Sequence, residues 1–345
     1  MAVECCAPVP VSGRVGAAAS EVAWPKFMAI VDRHRIAGLC ARALSEIAPD
    51  DADAALTERA RRDVGANLRA VAAIADLDRR FAEAGITRVY IKGLTLSALA
   101  YGDPFLKASA DVDLLVAPDD ITTVAAILGE LGFTIAEPAG LPTDKLIWWH
   151  RQSKESAWWR EGDGLMLDLH SRLADCADVL PHSASDPAQR VAVTSALALP
   201  TLKTPALLAY LAVHGASSCW FRLKWIADFA ALTAQAGTAA LDAAVDLAAA
   251  QGGQRPMAQA LLLGDTLFGG ILANGRRAQL LDSRINRHLL ALGLNALAAG
   301  EPTSRRFGTV PIHWNQLVSR SEVGAMIAEA TRQLRTAWIN RRLRA

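Results

Sequence analysis

Between residues 21 and 84 apolar positions return every three or four residues, as at Ile36, Leu39, Cys40 and Leu44, which places them on one face of a helix. A polar turn at Pro49, Asp50 and Asp51 interrupts the run, and Gly85 fits a helix C-terminal stop. The period then changes to short β-branched and aromatic runs between turns. This predicts a strand at 89–92, a helix at 94–101, a strand at 112–116 and a helix from about 119 to 131 behind Pro118. Runs at 145–150, 156–160 and 165–170, with polar turns between them, predict an antiparallel meander. After about residue 173 the spacing is helical again and alanine-rich, broken at Pro205, Gly252–Gly253, Gly269–Gly270 and 300–311, which reads as a helical bundle. Residues 1–20 are small, Pro- and Gly-punctuated and without period, and read as a mobile tail. The expected organisation is therefore a tail at 1–20, an N-terminal helical segment at 21–85, a mixed core at 86–172 and a C-terminal helical domain at 173–345. The fold class is α+β, a small mixed sheet with helices flanked by helical regions.

With 345 residues and 52% hydrophobic side chains, the chain has ample apolar surface for a real core, which excludes a small stapled scaffold. The 36 basic and 35 acidic side chains leave a net charge of +1, too little for a surface that is polyanion-binding throughout, though a local basic patch remains open. Five cysteines, odd in number and without a CxxC pair, argue for reduced thiols rather than zinc or dithiol redox chemistry. The first twenty residues carry Glu4 and lack a basic segment followed by an apolar one, unlike a secretory signal. No apolar run approaches the roughly 18 residues that span a bilayer. The expected compartment is the cytoplasm, with no membrane partner.

The most informative stretch is 90–116, YIKGLTLSALAYGDPFLKASADVDLLV. Asp111 and Asp113 stand one residue apart on a predicted strand, so both carboxylates leave the same face. Converging carboxylates repel unless a cation neutralises them, and Mg²⁺ held by acids and substrate phosphates is the usual solution. The Lys92-Gly93 turn opens a helix whose free N–H groups suit phosphate oxygens, and Gly93 lets the backbone come close. Thr95 offers a hydroxyl and Lys92 a charge to the same phosphates. Ser109 braces the loop before the acid pair or joins the nucleotide site.

These residues carry a resemblance. A glycine turn, a short helix and a Dh[DE]h strand resemble the DNA polymerase β-type nucleotidyltransferase superfamily. More closely, KGLTLSALAYGDP, DVDLLV and LGELGF, with HRIAGL near the N-terminus and AVHGASSCWFRLKWIADFAAL at 212–232, resemble the uncharacterised nucleotidyltransferase family over roughly residues 20–235. LKASADVD also resembles the R-x-S-x-D-h-D string of AbiEii-type toxin nucleotidyltransferases, with Lys107 where Arg is usual. Leu94 stands where a second Gly or Ser is common. The resemblance implies a polymerase β-type core in the central segment, two Mg²⁺ ions, an NTP substrate and a third carboxylate. Asp168, inside the apolar run 165–170, supplies that acid, since a carboxylate among core formers is costly unless paired or metal-bound. His170 shares its strand face. Lys224 is the expected phosphate-binding cation of the first helix after the core, with Asp228 at i+4 as an ion-pair partner and His214 on the helix before.

The implied reaction is Mg²⁺-dependent transfer of NMP from an NTP to a hydroxyl on a small molecule, peptide product, sugar or RNA end, with release of pyrophosphate. In that reading Asp111, Asp113 and Asp168 are both catalytic and metal-binding, Lys92, Gly93, Thr95, Ser109 and Lys224 bind nucleotide, and His170, His214 and Asp228 are accessory. The alternative is a catalytically silent nucleotide-binding module on the same fold. DNA is not an expected partner. For RNA the one hint is the basic C-terminal helix with Arg332, Arg335, Arg341, Arg342 and Arg344, for which the helix dipole and water are the plainer account. The doublets Trp148-Trp149 and Trp158-Trp159 read as packing. On these grounds Asp113→Asn is expected to remove activity without harming the fold.

Overall fold

The computed structural model describes residues 1–109, 111–302 and 307–343. Five helices come first: α1 (Ala2–Cys5), α2 (Ser12–Ser20), α3 (Trp24–His34), α4 (Ala37–Leu44) and the long α5 (Asp50–Glu83). The central segment runs β1 (Arg88–Tyr90), α6 (Leu94–Tyr101), β2 (Asp111–Val116), α7 (Ile121–Glu130), β3 (Phe133–Glu137), α8 (Leu146–Gln152), β4 (Glu155–Arg160) and β5 (Leu165–His170). A hairpin of β6 (Ala188–Ala192) and β7 (Ala198–Leu202) leads into α9 (Thr204–Ser217), α10 (Leu223–Ala250), α11 (Gln254–Phe268), α12 (Asn274–Asp282), α13 (Arg284–Ala298), α14 (Val310–Val318) and α15 (Val323–Leu343). This is an α+β fold: a small mixed sheet flanked by N-terminal helices and a C-terminal helical bundle, in keeping with a polymerase β-type nucleotidyltransferase core.

The sheet order is β1-β2-β5-β4-β3, with β2 and β5 parallel and the other pairs antiparallel. Strand alternation splits its side chains between two cores. Val112, Leu114 and Val116 of β2 and Leu165, Leu167 and Leu169 of β5 enter a core with α7 and the second half of α5. Leu115 points the other way, into the core shared by α4, α9, α10 and α11. Asp111 and Asp113 have the same parity as Leu115, and Asp168 and His170 pair with that face. The acids therefore look toward the helical bundle.

Three departures from the sequence expectations have clear causes. Residues 1–20 are not a tail without structure: they hold α1 and α2, and Cys5, Cys6 and Val15 are buried in the bundle core. The run at 145–150 is helical, because Leu146, Trp149 and His150 at i, i+3 and i+4 bury one face of α8. Its place in the sheet is taken by β3, which pairs with β4 along the edge. The hairpin β6–β7, unforeseen in the sequence, contributes Leu199 to the core under the sheet.

Candidate active site

A cleft of about 230 Å³ lies between the bundle-facing side of the sheet and the helices. Parallel pairing in register sets Asp113 directly beside Asp168, and neighbouring strands lie only about 4.8 Å apart, so backbone geometry alone brings the two acids together. One atom each of Asp113, Asp168 and His170 falls within 4.8 Å of the others, and among the described residues these three form a group able to hold a metal ion. Asp111 lines the same cleft but stands outside this group.

The two paired acids have opposite electrostatics. Asp113 is 3% exposed, and burial opposes its charge, yet Lys92 and His170 hold its carboxyl well below the usual range. Lys92 Nζ lies 2.8 Å from Asp113 Oδ1, and His170 Nε2 is 3.2 Å from the same oxygen. An ionised carboxylate only accepts, so Nε2 carries the proton and donates. Burial and the Asp113, Asp111 and Glu155 carboxylates push Asp168 up to about 8, with Lys92 pulling weakly the other way. Glu155 sits opposite His170 on β4, its Oε2 3.2 Å from Nδ1 but off the hydrogen-bonding direction. Burial opposes its charge too, but Lys154 at 2.9 Å and His170 draw it down to about 2.

At the mouth of the sheet Gly93 caps α6 with φ 69° and ψ −124°. That conformation favours glycine, and a Cβ there would lie 2.5 Å from Ser109 Oγ. Ser109 donates from Oγ to the Asp111 carbonyl at 3.1 Å, so the Gly93 turn and the acid strand are stitched together. Thr95, expected to face a phosphate, is fully buried instead, its hydroxyl directed at the Tyr90 and Lys92 carbonyls at 3.2 Å. Lys92 likewise is engaged by Asp113 rather than free for a phosphate.

Helices form the opposite wall. Lys224 lines the cleft without an ion pair among the described residues, and burial and the neighbouring Lys107 bring its ammonium down to about 8. The expected Lys224–Asp228 pair does not form. Asp228 is held by Lys107, in a short contact, and by the Tyr101 hydroxyl at 2.9 Å. His214 lines the cleft between the Tyr210 and Trp225 rings, and burial with Lys92 and Lys154 nearby keeps its ring pKa well below the normal value. Away from the cleft, Arg332 pairs with Glu329, Arg342 stacks on Trp338, and Arg344 lies outside the described residues.

The N-terminal helices close the site. Asn67 of α5, fully buried, donates to the Lys107 carbonyl at 2.9 Å and accepts from the Ser109 N–H at 3.1 Å. Gly38 of α4 lets the Leu106 carbonyl come so near that a Cβ would sit 1.7 Å away. Arg35, which follows α3, also lines the cleft, and sequence reasoning missed it along with Asn67, Glu155 and Lys154. Only Glu155 had a usable signal, its place opposite His170 once β4 and β5 are paired.

Residues 20–269 match the family described as uncharacterised nucleotidyltransferase, a span from α3 through α11 that contains every cleft residue named above. The chain belongs to that family. No curated protein matches it, and among the described residues no helix is long and apolar enough to cross a membrane. A divalent cation suits the donor set that this cleft presents. Asp113 and Asp168 offer hard oxygens, and the raised Asp168 carboxyl is a charge conflict that a cation would relieve. His170 spends Nε2 on Asp113 and so acts on this geometry as a brace for that ligand.

Proposed function

We propose that the protein is a Mg²⁺-dependent nucleotidyltransferase that moves NMP from an NTP to a hydroxyl acceptor and releases pyrophosphate. The observation that carries this reading is the in-register juxtaposition of Asp113 and Asp168 in a cleft shared with Asp111 and the Gly93 turn. Two Mg²⁺ ions held by Asp111, Asp113 and Asp168 would supply positive charge to the triphosphate and lower the pKa of the acceptor hydroxyl. The acceptor oxygen forms a bond to the α-phosphorus, the bond from that phosphorus to the β-bridging oxygen breaks, and pyrophosphate leaves with the bond's electron pair. The acceptor proton needs a base. Asp168 fits that role by position, beside Asp113 at the point where the acceptor oxygen and its cation would meet. Asp113, held ionised by Lys92 and His170, keeps its charge throughout. Gly93 and the first N–H groups of α6 seat the phosphates, Ser109 braces that turn through its bond to the Asp111 carbonyl, and Lys224 adds charge from the helical wall. Thr95 has no part in this, since its hydroxyl is used in the core.

Incubation with each of four labelled NTPs and Mg²⁺, followed by mass spectrometry of protein, RNA and metabolite fractions, tests the reading. Label in one fraction, absent with Asp168→Asn, supports it and identifies the acceptor. NTP with Mg²⁺ is also expected to raise the melting temperature and EDTA to reverse the rise. The Lys92–Asp113 ion pair favours a second reading, a catalytically silent nucleotide-binding module in which a lysine takes the cation's place. NTP binding with no label in any fraction would select it.

A further inference from the structure

Arg35 follows α3 with its backbone in the left-handed region, φ 54° and ψ 51°. It occupies the C-terminal position of that helix, where its N–H donates to the Asp32 carbonyl and the following Ile36 N–H donates to the Val31 carbonyl. Glycine normally takes such a position, because a Cβ there costs roughly 1–2 kcal/mol. Local packing gives no reason for an arginine. The side chain is exposed, and among the described residues it makes no hydrogen bond or ion pair.

What Arg35 does is line two cavities at once. One is the catalytic cleft. The other, of about 300 Å³, lies between α3, α5 and the loop at Ala108. The two share Arg35, Ala108 and Ser109, and Ser109 is the residue packed against the Gly93 turn. Asp111, Asp113 and Asp168 line the cleft and not the second cavity. Ser109 thus links the Gly93 turn, where the triphosphate oxygens of the proposed reaction would sit, to the junction where Arg35 stands. The second cavity is lined by Arg59 and Arg62 and by the acids Asp32 and Asp63, with Arg59 tied to Asp32 at 2.7 Å and Arg62 3.7 Å from Glu58, which leaves Arg35 as the cation facing both cavities without a partner among the described residues.

We infer that Arg35 binds the terminal phosphates of the NTP and the pyrophosphate that leaves, so that the N-terminal helical segment supplies part of the nucleotide site. This rests on the nucleotidyltransferase reading above. A guanidinium fork fits phosphate oxygens in pairs, which explains an arginine at a strained position where glycine would be easier.

Arg35→Gly separates function from fold, because it relieves the backbone. The variant is expected to melt at or above wild type, while titration calorimetry with Mg²⁺ and inorganic tripolyphosphate shows affinity weakened at least about tenfold, as expected for one lost charge-assisted contact. NMP binding should change less than about twofold, and Arg35→Lys should recover part of the loss. Wild-type binding of tripolyphosphate with equal affinity in Arg35→Gly overturns the assignment and leaves the nucleotide reading standing. Loss of NMP and tripolyphosphate together, with a lowered melting temperature, overturns it in favour of a structural role. Wild type that binds neither tripolyphosphate nor any NTP removes both readings.

Discussion

Two clusters of charged groups face each other across the cleft. On the helical wall Lys107, Asp228 and the Tyr101 hydroxyl meet each other's needs: Asp228 receives one donor on each oxygen. On the sheet wall Asp113 has Lys92 and His170, and Glu155 has Lys154, but Asp168 has no ion pair among the described residues and stands among three other acids. Both clusters are largely withdrawn from solvent. The difference is that one is closed and the other is left with a carboxyl that has no ion-pair partner among the described residues. A closed ionic network explains itself by stability, whereas an unneutralised group in a cleft calls for a ligand.

Breaking the closed wall should have the largest effect. Asp228→Asn leaves Lys107, 7% exposed, without its counter-charge, and a broken buried pair typically costs about 3–5 kcal/mol. Urea unfolding of the purified variant measures it; a loss under about 1 kcal/mol would mean that this wall is not structural. On the open wall the sign reverses. Asp168→Asn should cut transfer by about 10²–10³-fold, the scale of one lost charge-stabilising group, yet strengthen the metal-free protein. Folding raises the Asp168 pKa from an ordinary value near 4 to about 8, so the folded chain binds a proton that the unfolded chain releases between those pH values. Wild-type stability therefore falls as pH rises from about 4 to 8. The variant's advantage in melting temperature should be full above pH 8 in EDTA and vanish near pH 4. A flat difference across that range would break the contrast. Asp113→Asn is the opposite case and corrects the expectation from sequence: it removes the partner of Lys92, so it should lower the melting temperature as well as activity.

That correction shows where sequence reasoning stops. The alternation of DVDLLV was enough to put Asp111 and Asp113 on one face, because strand period is local. The apolar neighbours of Asp168 marked it as unusual for the same reason, and its pairing with Asp113 follows once β5 lies beside β2. The partners of these acids were not legible. Lys92, next to the glycine turn, looked free for a phosphate, and only the fold brings Asp113 to it. Lys224 and Asp228 satisfied the helical i, i+4 rule, but a buried lysine 121 residues away in sequence competes for the same carboxylate and wins. Residues 145–150 were ambiguous because a short apolar run fits strand and helix alike, and burial of Leu146, Trp149 and His150 decided it. Asn67 gave no signal at all, since its role consists of two backbone groups some forty residues on.

Asn67 offers the smallest and most selective perturbation, since it touches no charged group of either wall but holds the backbone of the loop that carries Lys107 and Ser109. Asn67→Ala leaves the Lys107 carbonyl and the Ser109 N–H without their partner, at about 1–3 kcal/mol. If that loop positions the helical-wall lysine, the variant should weaken protection of the Ser109 amide in hydrogen exchange before the sheet strands open. Asn67→Asp retains an acceptor for the Ser109 N–H but loses the donor to Lys107, so it should restore Ser109 protection and only part of the stability. Equal loss of protection across β2, β5 and the loop would mean that the clamp supports the whole sheet, and the two walls would then share one structural origin despite their different electrostatics.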